Sequence, residues 1–485
     1  MKTLAAAVSL ATMFAMADTN STSSLKLDAG GDFRVRQEVM HNVPGLPGRP
    51  DGTASGAFVP RDHRKTLNHF RYRPRLWGSA DYENFRLYAR VVDEVREHIV
   101  KNGARRKDRA YNFPDELALD SLYLEGRDLF DDFLDFRIGR QDLFDGRHST
   151  LGLDRMMLDG APYVGSRSCY ADMARFTFKF DKDSKLDAFA LYDNGRNVFS
   201  WGDRKSRGRP MNAIHPGDSC EMDEWGGGLI WSSKVVPELS SFALPTPYKL
   251  YTIHKHTEAY TAGGTKRRMP DKQITTFGLD IEPQLTEWLS LEFDGAKQFG
   301  SLSDGAKQAG GYMGYAAIDL HPDVSQHFDP FARLSAYYLS GDRHRTGADD
   351  NDTAWDPLWA RAPCDSEMFQ YGTLYGLGYW ENILYTKLTL GADFGPLHRV
   401  SVYSGPMWAA EQDHLGTADG DGSRFKGLLS AARYDFPLLL APKGARGLDR
   451  ISVFGHVVAE LFNPGDYYET SRPAWFLRWE LIFKF

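Results

Sequence analysis

The C-terminal stretch Trp475-Phe476-Leu477-Arg478-Trp479-Glu480-Leu481-Ile482-Phe483-Lys484-Phe485 decides the fold. Trp475, Leu477, Trp479, Leu481, Phe483 and Phe485 share one parity, and Phe476, Arg478, Glu480, Ile482 and Lys484 share the other. A period of two is that of a β-strand. One face is wholly apolar and aromatic up to the last residue. A soluble sandwich would bury such a face and end on polar residues, whereas a lipid-facing strand can finish on an aromatic at the membrane interface.

Upstream, the same alternation recurs in segments of about ten residues, the length of a tilted membrane strand. Phe85, Leu87, Ala89 and Val91 alternate with Arg86, Tyr88, Arg90 and Val92, and Ala174, Phe176, Phe178 and Phe180 with Met173, Arg175, Thr177 and Lys179. Phe277, Leu279 and Ile281 repeat the pattern, as do Leu289, Leu291 and Phe293. Eighteen such segments are predicted, at 24–39, 66–80, 83–95, 117–126, 132–141, 170–180, 185–193, 224–233, 247–258, 273–283, 286–298, 309–320, 328–340, 382–394, 398–409, 425–436, 449–462 and 474–485. Counted from a periplasmic N-terminus, the long connections near 40–65, 96–116, 142–169, 194–223, 341–381 and 410–424 fall on one rim. Short turns, such as Asp81-Tyr82, Asp181 to Ser184 and Gly395 to Leu397, fall on the other. Connections near 234–246 and 437–448 are too long for that pattern. The expected fold is an all-β, transmembrane, antiparallel β-barrel of about eighteen strands with long extracellular loops and mostly short periplasmic turns.

Composition agrees. The 485 residues are 42% hydrophobic, 25% charged and 13% aromatic, with 46 Gly and 24 Pro, which excludes global disorder and collagen-like repetition. A mean hydropathy of -0.46 excludes a polytopic helical membrane protein but not a barrel. With 58 basic and 65 acidic residues the chain carries a formal charge of -7, so no nucleic-acid partner is expected. Lys2, the apolar run Leu4 to Phe14 and Ala15-Met16-Ala17 read as an export signal over 1–17, leaving 18–485 as the barrel. Cys169, Cys220 and Cys364 lack the spacing of a zinc site or a disulfide framework.

In a membrane barrel the polar face lines a watery lumen. By parity, Arg71, Arg73, Arg75, Arg86, Arg90, Arg137, Arg175, Lys179, Arg333, Lys387 and Arg478 project inward, interleaved with Asp135, Asp280, Glu292 and Glu480. Guanidinium stays charged and offers planar paired donors to a carboxylate, while nearby acids would orient it and keep each site weak enough to release a solute. Arg73, Arg86, Arg90, Arg137 and Arg175 are expected to supply most of the field. A water-filled lumen also carries charged side chains simply because it is wet, so the crowded set on two adjacent strands, Arg71, Arg73, Arg75, Arg86 and Arg90, carries more weight than any single residue. Pro74 lies inside that run, where a bulge is expected.

Three stretches, F-R-I-G-R-Q at Phe136 to Gln141, L-F-N-P-G-D-Y-Y at Leu461 to Tyr468 and the terminal R-W-E-L-I-F-K-F, carry a resemblance to the alginate export (AlgE-type) outer-membrane porins. R-Y-R-P-R-L-W-G from Arg71, F-G-L-D-I from Phe277 and Y-L-S-G-D from Tyr338 match more weakly, and the order of motifs spans nearly all of 25–485. The resemblance implies a channel in a Gram-negative-type outer membrane that passes an anionic saccharide or polysaccharide. It also implies outer-membrane lipid, the barrel-assembly machinery and a periplasmic polysaccharide-secretion scaffold as partners, with Phe483 and Phe485 in the assembly signal. Arg140 lies in the first of these stretches and is counted with the pathway residues. Its parity places it with Ile138, at a bulge or near the rim.

Two other functions stay open: a general diffusion porin for small anions or sugars, and a structural or adhesive barrel without export. No enzyme motif such as G-x-S-x-G appears, and no cofactor is expected. His254 and His256 share a strand face without a clear carboxylate partner, and Asp349, Asp350 and Asp352 lack the spacing of a calcium loop, so no metal site is expected either.

Overall fold

The computed structural model describes residues 25–42, 66–93, 95–101, 116–141, 171–193, 200–202, 223–235, 244–261, 268–269, 271–302, 307–325, 327–342, 351–359, 366–368, 382–395, 397–412, 423–442, 447–467 and 472–485. Residues 1–17, read above as an export signal, and the three cysteines lie outside them. The chain forms eighteen antiparallel barrel strands. They are β1 (Leu25–His41), β2 (Thr66–Tyr82), β3 (Phe85–Val92, continued by Val95–Lys101), β4 (Glu116–Asp128), β5 (Leu134–Gln141) and β6 (Ala171–Lys179). Then come β7 (Lys185–Asp193), β8 (Glu224–Val235), β9 (Thr246–Thr257), β10 (Lys272–Ile281), β11 (Leu289–Leu302) and β12 (Tyr312–Leu320). The last are β13 (Asp329–Leu339), β14 (Ile383–Asp393), β15 (Arg399–Trp408), β16 (Phe425–Leu439), β17 (Ser452–Pro464) and β18 (Ala474–Lys484).

Each strand pairs with its neighbours in sequence, and β18 pairs with β1 from Asp32↔Lys484 to His41↔Trp475, which closes the barrel. The seam extends to the last residue, where Gly31 and Phe485 exchange backbone hydrogen bonds of 2.9 and 3.1 Å. Every segment expected from the alternation is a strand. The largest differences are at the far ends of β3 and β11, which run on to Lys101 and Leu302. Beside the two connections expected to be too long, the strand ends Val235↔Thr246 and Leu439↔Val453 still pair, so the up-and-down order is intact.

Burial is inverted relative to a soluble protein. Leu87, Leu124, Leu229, Leu279, Leu334, Leu390 and Leu477 are exposed, while Arg34, Arg36, Glu38, Asp280, Arg478 and Glu480 are buried. Rings collect at both ends of the apolar band: Phe133, Phe180 and Trp231 at the short-turn end, Tyr312, Tyr338, Trp408 and Phe425 at the long-loop end. The bulge expected at Pro74 takes a different form. β1 pairs through Phe33↔Pro74 without a register shift, and the interruption falls across from it, after Val92 where the first part of β3 ends, with the Asp93 N–H on the Pro74 carbonyl at 3.1 Å. Proline has no N–H to give on that side, so the partner strand breaks its ladder there.

Candidate functional site

The inward residues of β1, β2 and β18 interlock. Down β1 they are Asp32, Arg34, Arg36 and Glu38, facing Arg75, Arg73, Arg71 and His69 on β2, while Glu480 and Arg478 on β18 face Arg36 and Glu38. Two like-charged pairs, Arg34↔Arg73 and Arg36↔Arg71, are therefore directly opposite, an arrangement that needs compensation. Glu38 supplies it to Arg36 at 3.1 Å, Arg71 at 3.3 Å and Arg478 at 3.9 Å. Glu480 lies 3.6 Å from both Arg34 and Arg36, and Asp32 holds Arg75 at 2.7 Å and Arg73 at 3.5 Å. Asp32, Arg34, Arg36 and Glu38 were not singled out in the sequence. Their period-two spacing is the signal that could have found them.

Around the rest of the lumen the expected cations each meet an acid: Arg86 with Asp81 at 2.6 Å, Arg90 with Asp120 at 2.9 Å, Arg137 with Glu125 at 2.7 Å and Arg175 with Asp187 at 2.9 Å. Lys179 bridges Asp128 and Asp135 at the short-turn rim, and Arg333 joins Asp319 and Glu292. Asp280 pairs with Lys249 at 3.1 Å, and Lys387 lies over the rings of Tyr385 and Tyr403. In the pairs of Arg75, Arg86, Arg90, Arg137, Arg175 and Lys249 the cation is the wetter partner, whereas Asp128 and Asp135 are wetter than Lys179, Asp319 than Arg333 and Asp32 than Arg73. Side-chain exposure is 14% for Arg90 against 0% for Asp120, 20% for Arg175 against 4% for Asp187, and 24% for Arg75 against 11% for Asp32. At those six pairs the acid lies beneath the cation, so water there meets mostly positive charge, while the β1, β2 and β18 cluster around Arg36, Glu38 and Arg478 is buried on both sides.

Arg140 is a correction. It shares the outward parity of Ile138 and Leu122 and pairs with Asp172, the residue opposite it on β6, at 2.9 and 3.0 Å. That carboxylate is 44% exposed. Arg140 therefore stands at the long-loop rim on the outer face, because the alternation of β5 carries through to its end.

The β13–β14 connection folds into the lumen, a feature with no counterpart in the sequence reading. One part seats on β8 to β11. Lys255 donates to the Leu358 carbonyl at 2.6 Å, and Gln298 bonds both the carbonyl and the N–H of Asp356, at 2.7 and 2.9 Å. Trp359 lies where Gly226 leaves room, since a Cβ there would stand 2.9 Å from its ring. Lys272 approaches Asp356 at 2.8 Å and Asp352 at 3.4 Å. Burial would raise the Asp356 carboxyl, but Lys272 and Lys255 outweigh it and hold the group down at about 2. Another part seats on β17 and β18, nearly across the ring. Glu460 accepts from Ser366 Oγ at 2.6 Å and from the N–H groups of Glu367 and Met368 at 2.8 Å each. Glu367 then accepts from Arg478 at 2.6 Å.

Of the sequence's metal candidates, His254 bonds Thr275 at 2.9 Å and His256 meets Asp271. Asp349 and Asp350 lie outside the described residues. Among those residues, His321, Asp329 and Asp393 alone bring three ligand groups together, and Asp393 is already engaged twice by Arg399 at 2.7 Å.

No family model matches the chain, and no curated protein does. Several solved structures are similar to it at low identity, the outer membrane channel DcaP among them. OpdO of Pseudomonas aeruginosa has 12% identity and a TM-score of 0.49 over 94% of this chain and 97% of its own. OccK5 (OpdH) of the same organism has 12% identity and a TM-score of 0.48 over 94% and 98%. DcaP of Acinetobacter baumannii has 9% identity and a TM-score of 0.41 over 97% and 100%. The barrel form rests on the strand pairing and closure described above and not on these likenesses.

Proposed function

We propose that this chain is an outer-membrane channel for small carboxylate-bearing solutes. One observation carries the reading: in the pairs of Arg75, Arg86, Arg90, Arg137 and Arg175 the guanidinium is more exposed to the lumen than the acid that holds it. A low-dielectric wall focuses such a field, and rings of basic side chains favour anions. Planar guanidinium recognises a carboxylate with paired donors, and the acid beneath each arginine competes for it, which keeps residence short.

The sequence resemblance points to an anionic polysaccharide. A polymer requires a continuously open path, and the connection seated on both β8–β11 and β17–β18 supports the smaller solute instead. Current block separates the two. Glucuronate should interrupt single-channel current in planar bilayers more strongly than glucose, and Arg73→Gln with Arg75→Gln should abolish the difference. Equal block by acid and neutral sugar would remove the carboxylate reading. Tighter block by a long uronate oligomer than by the monomer would restore the polymer.

A further inference from the structure

On the outer wall, β10 to β14 enclose an apolar groove of about 540 Å³. Its floor is Gly295 opposite Gly314 and Ala316 opposite Ala336. Leu279, Phe293 and Leu384 wall it. Glycine weakens a strand, so its presence calls for a reason. At Gly278 and Gly300 the reason is contact: a Cβ would stand 2.0 Å from the Tyr251 ring and 1.9 Å from the Gln273 carbonyl. At Gly295 and Gly314 a Cβ would meet nothing within 4 Å, and neither has a positive φ. Neither packing nor backbone requires these two glycines. What they create is the hollow.

The groove is capped on one side by a charge. Lys297 is exposed on the outward parity of β11, one outward position beyond Gly295, and is paired with Tyr312, the first residue of β12. Its ammonium lies 5.3 Å from the Tyr312 ring and 5.7 Å from that of Phe299. Among the described residues no carboxylate pairs with it. Tyr312 and Tyr338 stack at 5.4 Å with their hydroxyls 3.3 Å apart, marking the level where aromatic girdles meet headgroups. A lone cation on a lipid-facing wall is tolerated near the interface and disfavoured at mid-depth. Cation above and hollow below match the two ends of a lipid.

We infer that this groove binds an anionic lipid of the outer leaflet, its headgroup phosphate on Lys297 and the tyrosine hydroxyls and one acyl chain over Gly295 and Gly314. The inference rests on the membrane reading above but not on the solute. Purified barrel in detergent micelles, titrated with phosphatidylglycerol or phosphatidylcholine and read by native mass spectrometry, tests it. The wild-type chain should retain phosphatidylglycerol more tightly. Lys297→Gln should lower that affinity about fivefold, the worth of one basic residue at a charged lipid surface, and leave phosphatidylcholine unchanged. Gly295→Leu fills the hollow without touching the fold and should weaken both lipids. Heat-modifiable gel migration verifies that each variant is folded. Retention unchanged in either variant overturns the inference, as does a change in oligomeric state without a change in lipid retention, which would give the groove to a second copy. A barrel that conducts yet holds no lipid refutes the groove alone, whereas a chain with no heat-modifiable band refutes the membrane reading beneath it.

Discussion

Arg478 is fully buried and joins the wall to the infolded connection, with Glu367 on one side and Glu38 on the other. Removing one partner from a buried ionic network leaves uncompensated charge and costs about 3–5 kcal/mol. Arg478→Met should therefore lower the denaturant midpoint of the reconstituted barrel. It should also raise single-channel conductance, because Glu367 loses its anchor; a lower midpoint with unchanged conductance would separate Arg478 from the loop. At the other seat, Asp356 is held down at about 2, so the stabilisation it contributes is present above the ordinary aspartate value and is lost only as pH falls through about 2. Conductance should be constant from about pH 4 upward as far as this contact sets it, and Lys272→Met should bring an acid-dependent rise into that range. Legibility varied residue by residue. Arg71, Arg73 and Arg478 were readable from parity alone. Arg34 and Arg36 have the same parity signal on a β1 whose outward face carries Gln37, which donates to Asn68 at 3.0 Å and accepts from Trp479 at 2.9 Å, so the outward amide is satisfied locally.

Among the elements, β18 and the β13–β14 connection matter most. Deleting Phe485 removes the last two backbone hydrogen bonds of the seam with Gly31, and Phe483→Asp puts a charge on the lipid-facing parity near the rim. An acidic residue near an interface costs little by burial, so a large loss of folded yield on a heat-modifiable gel would have to come from closure or from recognition by the assembly machinery. Unchanged yield in both variants would contradict a decisive role for the terminal face. Replacing residues 343–381 with a short Gly/Ser linker should leave the barrel folded and raise conductance; an unaltered conductance would mean that the connection does not narrow the path. Strands were legible because lipid outside and water inside impose opposite chemistry on alternate residues. The connection was not, since Trp355 and Trp359 are buried against lumen walls by contacts far apart in sequence, and no period announces that.

For the whole molecule, closure between β1 and β18, apolar exterior and ionic lumen form one account: a sheet with no edge, whose wet face is inside. The inverted burial was readable from the sequence as a contest between a soluble and a membrane barrel, settled by the terminal aromatics. The greater exposure of Arg75, Arg86, Arg90, Arg137 and Arg175 than of their acids was not, because parity gives the side of a strand and not the depth of a side chain. The proposed preference for anions rests on that difference. The most direct test is the reversal potential of the reconstituted channel across a potassium chloride gradient. The account predicts a preference for chloride near 0.1 M that fades toward 1 M, as the Debye length contracts from about 10 Å to about 3 Å. A preference for potassium at low salt, or none, would contradict it.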